Sequence, residues 1–242
     1  MRTIATLLFL ATAVSARADA LADLKRTLTT LRGAAAIAAV YDARHTNKAR
    51  GRFFNQNLNV HSAADVQVGE GGVTLTLSRS TLERLRAQRA SKSSEEDNRE
   101  VTGDVQAGQV AELLDYAPTL QAMLARAVVV AQRDAALGVT PARLLVLKVR
   151  PERAPVTNVK IESAGDDLSL WIGRDGVPLA AERKAQFSVG FLFLKAAGGA
   201  TEKWTFARRD DRLVVLRHER AMSGGGLGQS SEGTEIESIA LR

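Results

Sequence analysis

The chain has 242 residues, no cysteine, 33 lysines and arginines against 27 acidic residues, and 45% apolar residues. That apolar share, with 25% charged residues, excludes wholesale disorder and a chain built of many membrane-spanning helices. The absence of cysteine excludes disulfides, thiolate metal sites, a cysteine nucleophile and a lipidated N-terminal cysteine.

Residues Met1–Ala18 carry Arg2, then an apolar stretch from Ile4 to Val14, then the small residues Ala16 and Ala18. This is the layout of a secretory signal peptide cut after Ala-Arg-Ala, or two residues later after Ala-Asp-Ala. The stretch is shorter than the roughly 20 apolar residues a helix needs to span a bilayer. The expected product is an exported, soluble periplasmic chain beginning near residue 19, with residues 19–242 as a single domain. Cleavage removes Arg2 and Arg17 and no acid, leaving 31 basic residues against 27 acidic, or +4. A surplus of that size allows transient contact with an anionic membrane surface. Nucleic acid is a poor partner, because no basic stripe is interleaved with stacking aromatics.

Along the mature chain, Leu21, Leu24, Leu28 and Leu31 recur at helical spacing, with Asp19 as a cap and Gly33 as the stop, so residues 19–33 read as a short amphipathic helix. Ala36–Arg44, Arg52–His61 and Ala64–Glu70 have β character, and a Gly71-Gly72 turn leads into Val73–Ser78. Leu82–Ala90 reads as a helix and Ser91–Glu100 as a charged loop. Ala107–Tyr116 and Pro118–Leu137 read as two further helices. The second is bounded by Pro118 and Gly138 and striped by Leu120, Met123, Leu124, Ala127, Val128 and Ala131.

The remainder reads as successive strands: Arg143–Arg150, Val156–Glu162, Leu168–Arg174, Val177–Arg183, Phe187–Ala196, Thr201–Arg208, Leu213–Glu219 and Thr234–Leu241. Turns are expected at Ala164–Asp167, Asp175-Gly176, Gly198-Gly199 and Asp210-Asp211, and a glycine-rich loop over Ser223–Gly233. The fold class expected is α+β: a curved antiparallel sheet, an unclosed β-barrel, with helices covering the concave face. Several late strands are apolar on both faces, and the middle helices are the available cover. A gap left between sheet and helices would form an apolar cleft, whereas apolar stripes are ordinarily packed core.

The order of signal peptide, Leu-rich helix, strands, helical interruption and strands resembles that of the periplasmic outer-membrane lipoprotein carriers, the LolA/LolB-like superfamily. The resembling motif is a strand–turn–strand: Leu170, Trp171, Ile172, Asp175, Gly176 and Pro178 match hydrophobic-Trp-hydrophobic-x-x-Asp-Gly-x-Pro. The resemblance implies an unclosed antiparallel barrel with a helical lid that keeps acyl chains from water. Without a cysteine to carry a lipid, it implies the soluble carrier type. The charged stretch Ser91–Glu100 is not part of that pattern.

Catalytic signals are sparse. His45, His61 and His218 have no metal spacing. No Gly-x-Ser-x-Gly elbow occurs, and Ser223-Gly-Gly-Gly-Leu-Gly lacks the Lys-Ser/Thr of a phosphate cradle. Asp166-Asp167 and Asp210-Asp211 read as turn formers. No enzyme activity, metal or cofactor is therefore expected. The reading is a non-catalytic protein binding a lipid or lipoprotein acyl chain in an apolar cleft walled by Leu168, Leu170, Phe191, Phe193, Trp204 and Phe206. Leu120, Leu124 and Val128 would be supplied by the lid. The alternative is a cell-envelope structural or protein-interaction module with a fully packed core and an envelope protein as partner.

Overall fold

The computed structural model describes residues 20–52, 54–90, 100–102, 105–150, 160–191, 194–226 and 228–242. The proposed signal peptide, residues 91–99 of the charged stretch and residues 151–159 lie outside them. Helix α1 covers residues 20–30. There follow β1 (Ile37–Gly51), β2 (Phe54–Gly69), β3 (Gly72–Thr76), α2 (Arg79–Ala90), β4 (Glu100–Thr102), α3 (Ala107–Leu114) and α4 (Ala117–Ala125). The rest is strand: β5 (Ala127–Leu137), β6 (Thr140–Val149), β7 (Lys160–Ile172), β8 (Pro178–Phe191), β9 (Leu194–Arg209), β10 (Arg212–Gly226) and β11 (Gln229–Leu241). Among the described residues no helix is long and apolar enough to cross a membrane.

The strands form one sheet in the order β3-β2-β1-β11-β10-β9-β8-β7-β6-β5, antiparallel along that path and unclosed, with β4 added in parallel to β2. One cross-strand row shows how it is built. The register places Ser62, Ala43, Glu237, His218, Trp204, Ala181, Leu170, Leu145 and Gln132 opposite one another across nine consecutive strands. Residues directly opposite share a face. Trp204, Ala181, Leu170 and Leu145 are buried there, with Phe206, Tyr41 and Ile239 two residues further along their strands.

Helices α1, α3 and α4 pack into the same core. Leu24, Leu28 and Leu31 form the buried stripe of α1, and Gly33 (φ 68) ends that segment. A Cβ on Gly33 would run into the Asp115 carboxylate, and the left-handed backbone there favours glycine. The loop beyond it is held by Asp211, which accepts from the Ala34 and Ala35 amides at 2.9 and 3.0 Å. Val110, Leu113 and Leu114 of α3 and Leu120, Met123 and Leu124 of α4 are buried, with Pro118 in the first turn of α4. The Tyr116 amide between them donates to Leu213 O at 2.9 Å, and its ring lies 6.1 Å from Trp204 and 5.6 Å from Phe206. Burying each such aliphatic side chain contributes about 1.5–3 kcal/mol.

Several sequence expectations are corrected. The helix expected over Pro118–Leu137 stops at Ala125, and Ala127–Leu137 is strand β5, paired with β6. Three consecutive valines, Val128–Val130, favour the pleated backbone, and Gly138 (φ 60) turns the β5–β6 hairpin instead of ending a helix. Ala164–Asp167 is the interior of β7, Gly198-Gly199 the interior of β9, and Ser223–Gly226 the end of β10. In each case a turn-type composition sits inside a strand of 13–16 residues, because long paired neighbours supply the backbone partners. The Asp175-Gly176 and Asp210-Asp211 turns lie between strands, as the composition suggests.

Candidate functional site: the uncovered half of the helix-side face

The strands run well past the helices. Beyond Ala181, Trp204 and His218, the same face continues along β8 with Arg183, Ala185 and Phe187, and along β9 with Glu202, Ala200 and Gly198. It continues along β10 with Arg220, Met222 and Gly224, and along β1 with His45 and Asn47. All of those positions but Gly198 line a groove of about 450 Å³. Its floor is low because Ala185, Ala200, Gly224 and Gly233 project little or nothing. Phe187 stands 51% exposed at its far end.

A belt of charge separates the groove from the core. Arg183 donates to Asp166 through Nε (2.8 Å to Oδ1) and Nη2 (2.7 Å to Oδ2), a two-point pair on adjacent strands. Asp166 is 6% exposed. Arg183 Nη1 lies 3.5 Å from Glu202 Oε2, and Glu202 Oε1 lies 3.2 Å from Arg220 Nε. Asp166, Arg183, Glu202 and Arg220 thus alternate in sign across β7, β8, β9 and β10. The hydrogen bond from Arg183 to Asp166 raises the guanidinium pKa above its usual value, ahead of the opposing effect of burial. Glu235 sits opposite both Arg220 and His45. The belt is therefore close to neutral and offers no surplus positive charge to an anion.

A second polar cluster lies deeper. Glu237, 2% exposed, accepts from Tyr41 Oη at 2.9 Å and Gln109 Nε2 at 2.7 Å on one oxygen, and its other oxygen lies 2.8 Å from His218 Nδ1. Gln109 belongs to α3, so this carboxylate ties the helix to β1, β10 and β11. The His218 ring stacks on Trp204 at 5.1 Å, and its Nε2 is buried with no hydrogen-bond partner among the described residues. Burial, then the charge of Glu237, raises the Tyr41 phenol pKa well above its usual value; burial, then Glu202, does the same for Tyr116. Both phenols remain donors. Among the described residues no group of three or more histidine, cysteine or acidic side chains is placed to hold a metal ion.

The structure distributes the residues expected at the acyl-chain wall unevenly. Leu120, Leu124, Leu168, Leu170, Trp204 and Phe206 come together, 0–5% exposed, within one packed core cluster. None of the six lines the groove. Val128 is not on a lid helix: it lies on β5, 53% exposed. Phe193 and the Phe191 side chain fall outside the described residues. The groove residues Arg183, Ala185, Ala200, Glu202, Arg220 and Met222 escaped the sequence reading. Their signal was present: in Arg183-x-Ala185-x-Phe187 and Arg220-x-Met222-x-Gly224, charged, apolar and small residues alternate on one face of a strand.

No family model matches the chain, and no curated protein sequence matches it. Among solved structures, the crystal structure of MucB in complex with MucA(peri) is similar at a TM-score of 0.22 and 10% identity, over 92% of this chain and 93% of that one, a likeness too slight to bear on fold or function.

Proposed function

We propose that this is an exported, non-catalytic periplasmic protein that shelters a lipid or lipoprotein acyl chain on the uncovered half of the helix-side face. Leu120 and Leu124 from the helices and Leu168 and Leu170 from the sheet pack into one core cluster, away from the groove. The supporting observation is the continuity of one face: buried under α1, α3 and α4 at one end, it stays open at the other as a groove floored by Ala185, Ala200, Met222 and Gly233. Phe187 is a large apolar side chain left half in water there, and an acyl chain laid against it would lose about 0.8 kcal/mol of exposure per methylene. The charge belt would stop the chain from running under the helices, because Asp166 and Glu202 would lose their partners if displaced.

The test is titration with a dansyl-labelled fatty acid. Binding with enhanced emission is expected for the wild type, and at least about tenfold weaker binding for Ala200→Trp, which fills the groove. Equal binding by both would place the ligand elsewhere.

A second reading, an envelope module that binds a protein partner, is favoured by the burial of Leu120, Leu124, Leu168 and Leu170, all 0–1% exposed, within one core cluster. Under that reading the groove variant would leave lipid content unchanged and abolish recovery of an envelope partner.

A further inference from the structure

Helix α2 puts four arginines and one acid into 12 residues. Ser78 caps it, its Oγ accepting from the Thr81 amide at 3.1 Å. The helix is fastened by one side: Thr81 is buried and Leu85 half-buried, whereas Arg79, Leu82, Glu83, Arg84 and Arg86 are exposed. Arg79, Leu82, Arg86 and Arg89 recur at spacings of three and four residues, which places them along one stripe of the helix, apart from Thr81. The single acid, Glu83, is taken by Arg79 one turn away at 3.0 Å. Arg84 and Arg86 make no ion pair among the described residues. Counted on from Arg79 through Arg99, the chain still holds six basic residues against four acidic.

A second observation selects the partner. Leu82 is one of the few large apolar side chains exposed among the described residues, at 39%, and it stands between Arg79 and Arg86 on that stripe. An acidic protein would have to ring an apolar socket with carboxylates to match it. An anionic lipid surface offers both layers at once, phosphates outermost and hydrocarbon about 5–10 Å beneath.

We propose that α2 docks the protein on a membrane surface rich in acidic phospholipid. The arginines of the stripe bind lipid phosphates, to which a guanidinium can donate two parallel hydrogen bonds, and Leu82 enters the boundary with the acyl chains. No residue of α2 lines the groove, so this stands or falls apart from the acyl-chain reading.

The experiment is co-sedimentation of the mature chain with vesicles of equal parts phosphatidylglycerol and phosphatidylethanolamine, beside vesicles of phosphatidylcholine. Binding is expected to the first only, and should fall as salt is raised, because exposed charges are screened beyond about 10 Å at 0.1 M. Arg79→Gln combined with Arg86→Gln should bind at least about tenfold more weakly, since each basic residue near an anionic leaflet contributes roughly fivefold. Both positions are exposed and glutamine is a good helix former, so the melting temperature should not change. Arg133→Gln combined with Arg174→Gln removes the same charge from β5 and the β7–β8 turn, and should bind like the wild type. Because the chain has no cysteine, Leu82→Cys and Val139→Cys each accept one environment-sensitive fluorophore. Emission should rise on the acidic vesicles for the label at 82 and stay constant for that at 139, in the β5–β6 turn. Failure to bind the acidic vesicles, equal binding to both kinds, or undiminished binding by the Arg79 and Arg86 variant would overturn the proposal. So would an equal loss in the Arg133 and Arg174 variant, or an unresponsive label at 82. If the acidic vesicles were ignored while immobilised poly-glutamate retained the protein through Arg79 and Arg86, the partner would be an acidic polypeptide instead.

Discussion

Phe187 of β8 and Gly198 of β9 stand directly opposite each other, and a Cβ built on the glycine would come within 2.8 Å of Phe187 Cζ. The aromatic ring lies over the place where a side chain would be, and the Ser223 carbonyl closes the same space at 2.9 Å. Glycine in a strand interior ordinarily weakens it; here it admits the close approach of a ring and a neighbouring backbone. Gly198→Ala should therefore destabilise the protein by about 1–3 kcal/mol, as over-packing does, and displace Phe187 from the groove floor. Urea denaturation would report the first effect, and a weaker response to the dansyl probe the second.

The charge belt gives a different kind of variant. Replacing Arg183 with methionine leaves Asp166, 6% exposed, without its two-point partner. Breaking a buried pair from one side costs about 3–5 kcal/mol, whereas replacing both members by apolar residues of similar size is often close to neutral. Arg183→Met alone should thus be far less stable than Arg183→Met combined with Asp166→Leu, read from chemical denaturation of both. Equal losses would mean that the pair does not act as a unit.

Helix α3 is held by a carboxylate as well as by apolar contact. Tyr41→Phe removes one of the donors to Glu237 and should cost about 1.5–3 kcal/mol, the range for a hydrogen bond to a charged group. Gln109→Leu removes the bond that reaches the helix itself and should speed amide exchange of residues 107–114 more than that of β10 or β11. A uniform change across the sheet would argue against this tether.

Asp115, at the end of α3, has its pKa raised by burial above its ordinary value of 3.8, with Arg212 opposing the shift and Asp211 adding to it. Its Oδ1 is buried with no hydrogen-bond partner among the described residues. A carboxyl whose pKa is higher in the folded state than in the unfolded chain favours folding while protonated. Its contribution declines as pH rises from 3.8 through the raised value, then stays constant. Asp115→Asn should be more stable than the wild type at neutral pH, with the difference vanishing below pH 3.8, as thermal melts at a series of pH values would show.

Much of this architecture was legible in the amino-acid order, and the misplaced turns share one cause. The leucine stripe of α1, the turns at Asp175-Gly176 and Asp210-Asp211 and the antiparallel run of strands all follow local rules. Gly198-Gly199, Ala164–Asp167 and Ser223–Gly226 carry turn chemistry yet lie inside long strands. Distant pairing decides those positions, and local composition does not contain it. Asp166 shows the consequence: read alone it is a turn former, but its partner Arg183 is on the next strand, opposite Leu168. Val128 failed for the converse reason. Helical spacing from Leu120 ran into it by coincidence, and three β-branched residues in succession were the better guide. The groove was hidden because alternation along β8 and β10 marks one face of each strand but not which strands stand side by side, which only the register supplies.

The account turns on whether an apolar chain occupies the open half of the helix-side face. Native mass spectrometry of the protein taken from its own cell envelope, beside the Ala200→Trp variant prepared identically, addresses that most directly. The account expects wild-type protein to carry the added mass of an acyl lipid and the variant to be recovered without it. Wild-type protein recovered at its bare mass, or lipid retained equally by both, would contradict it.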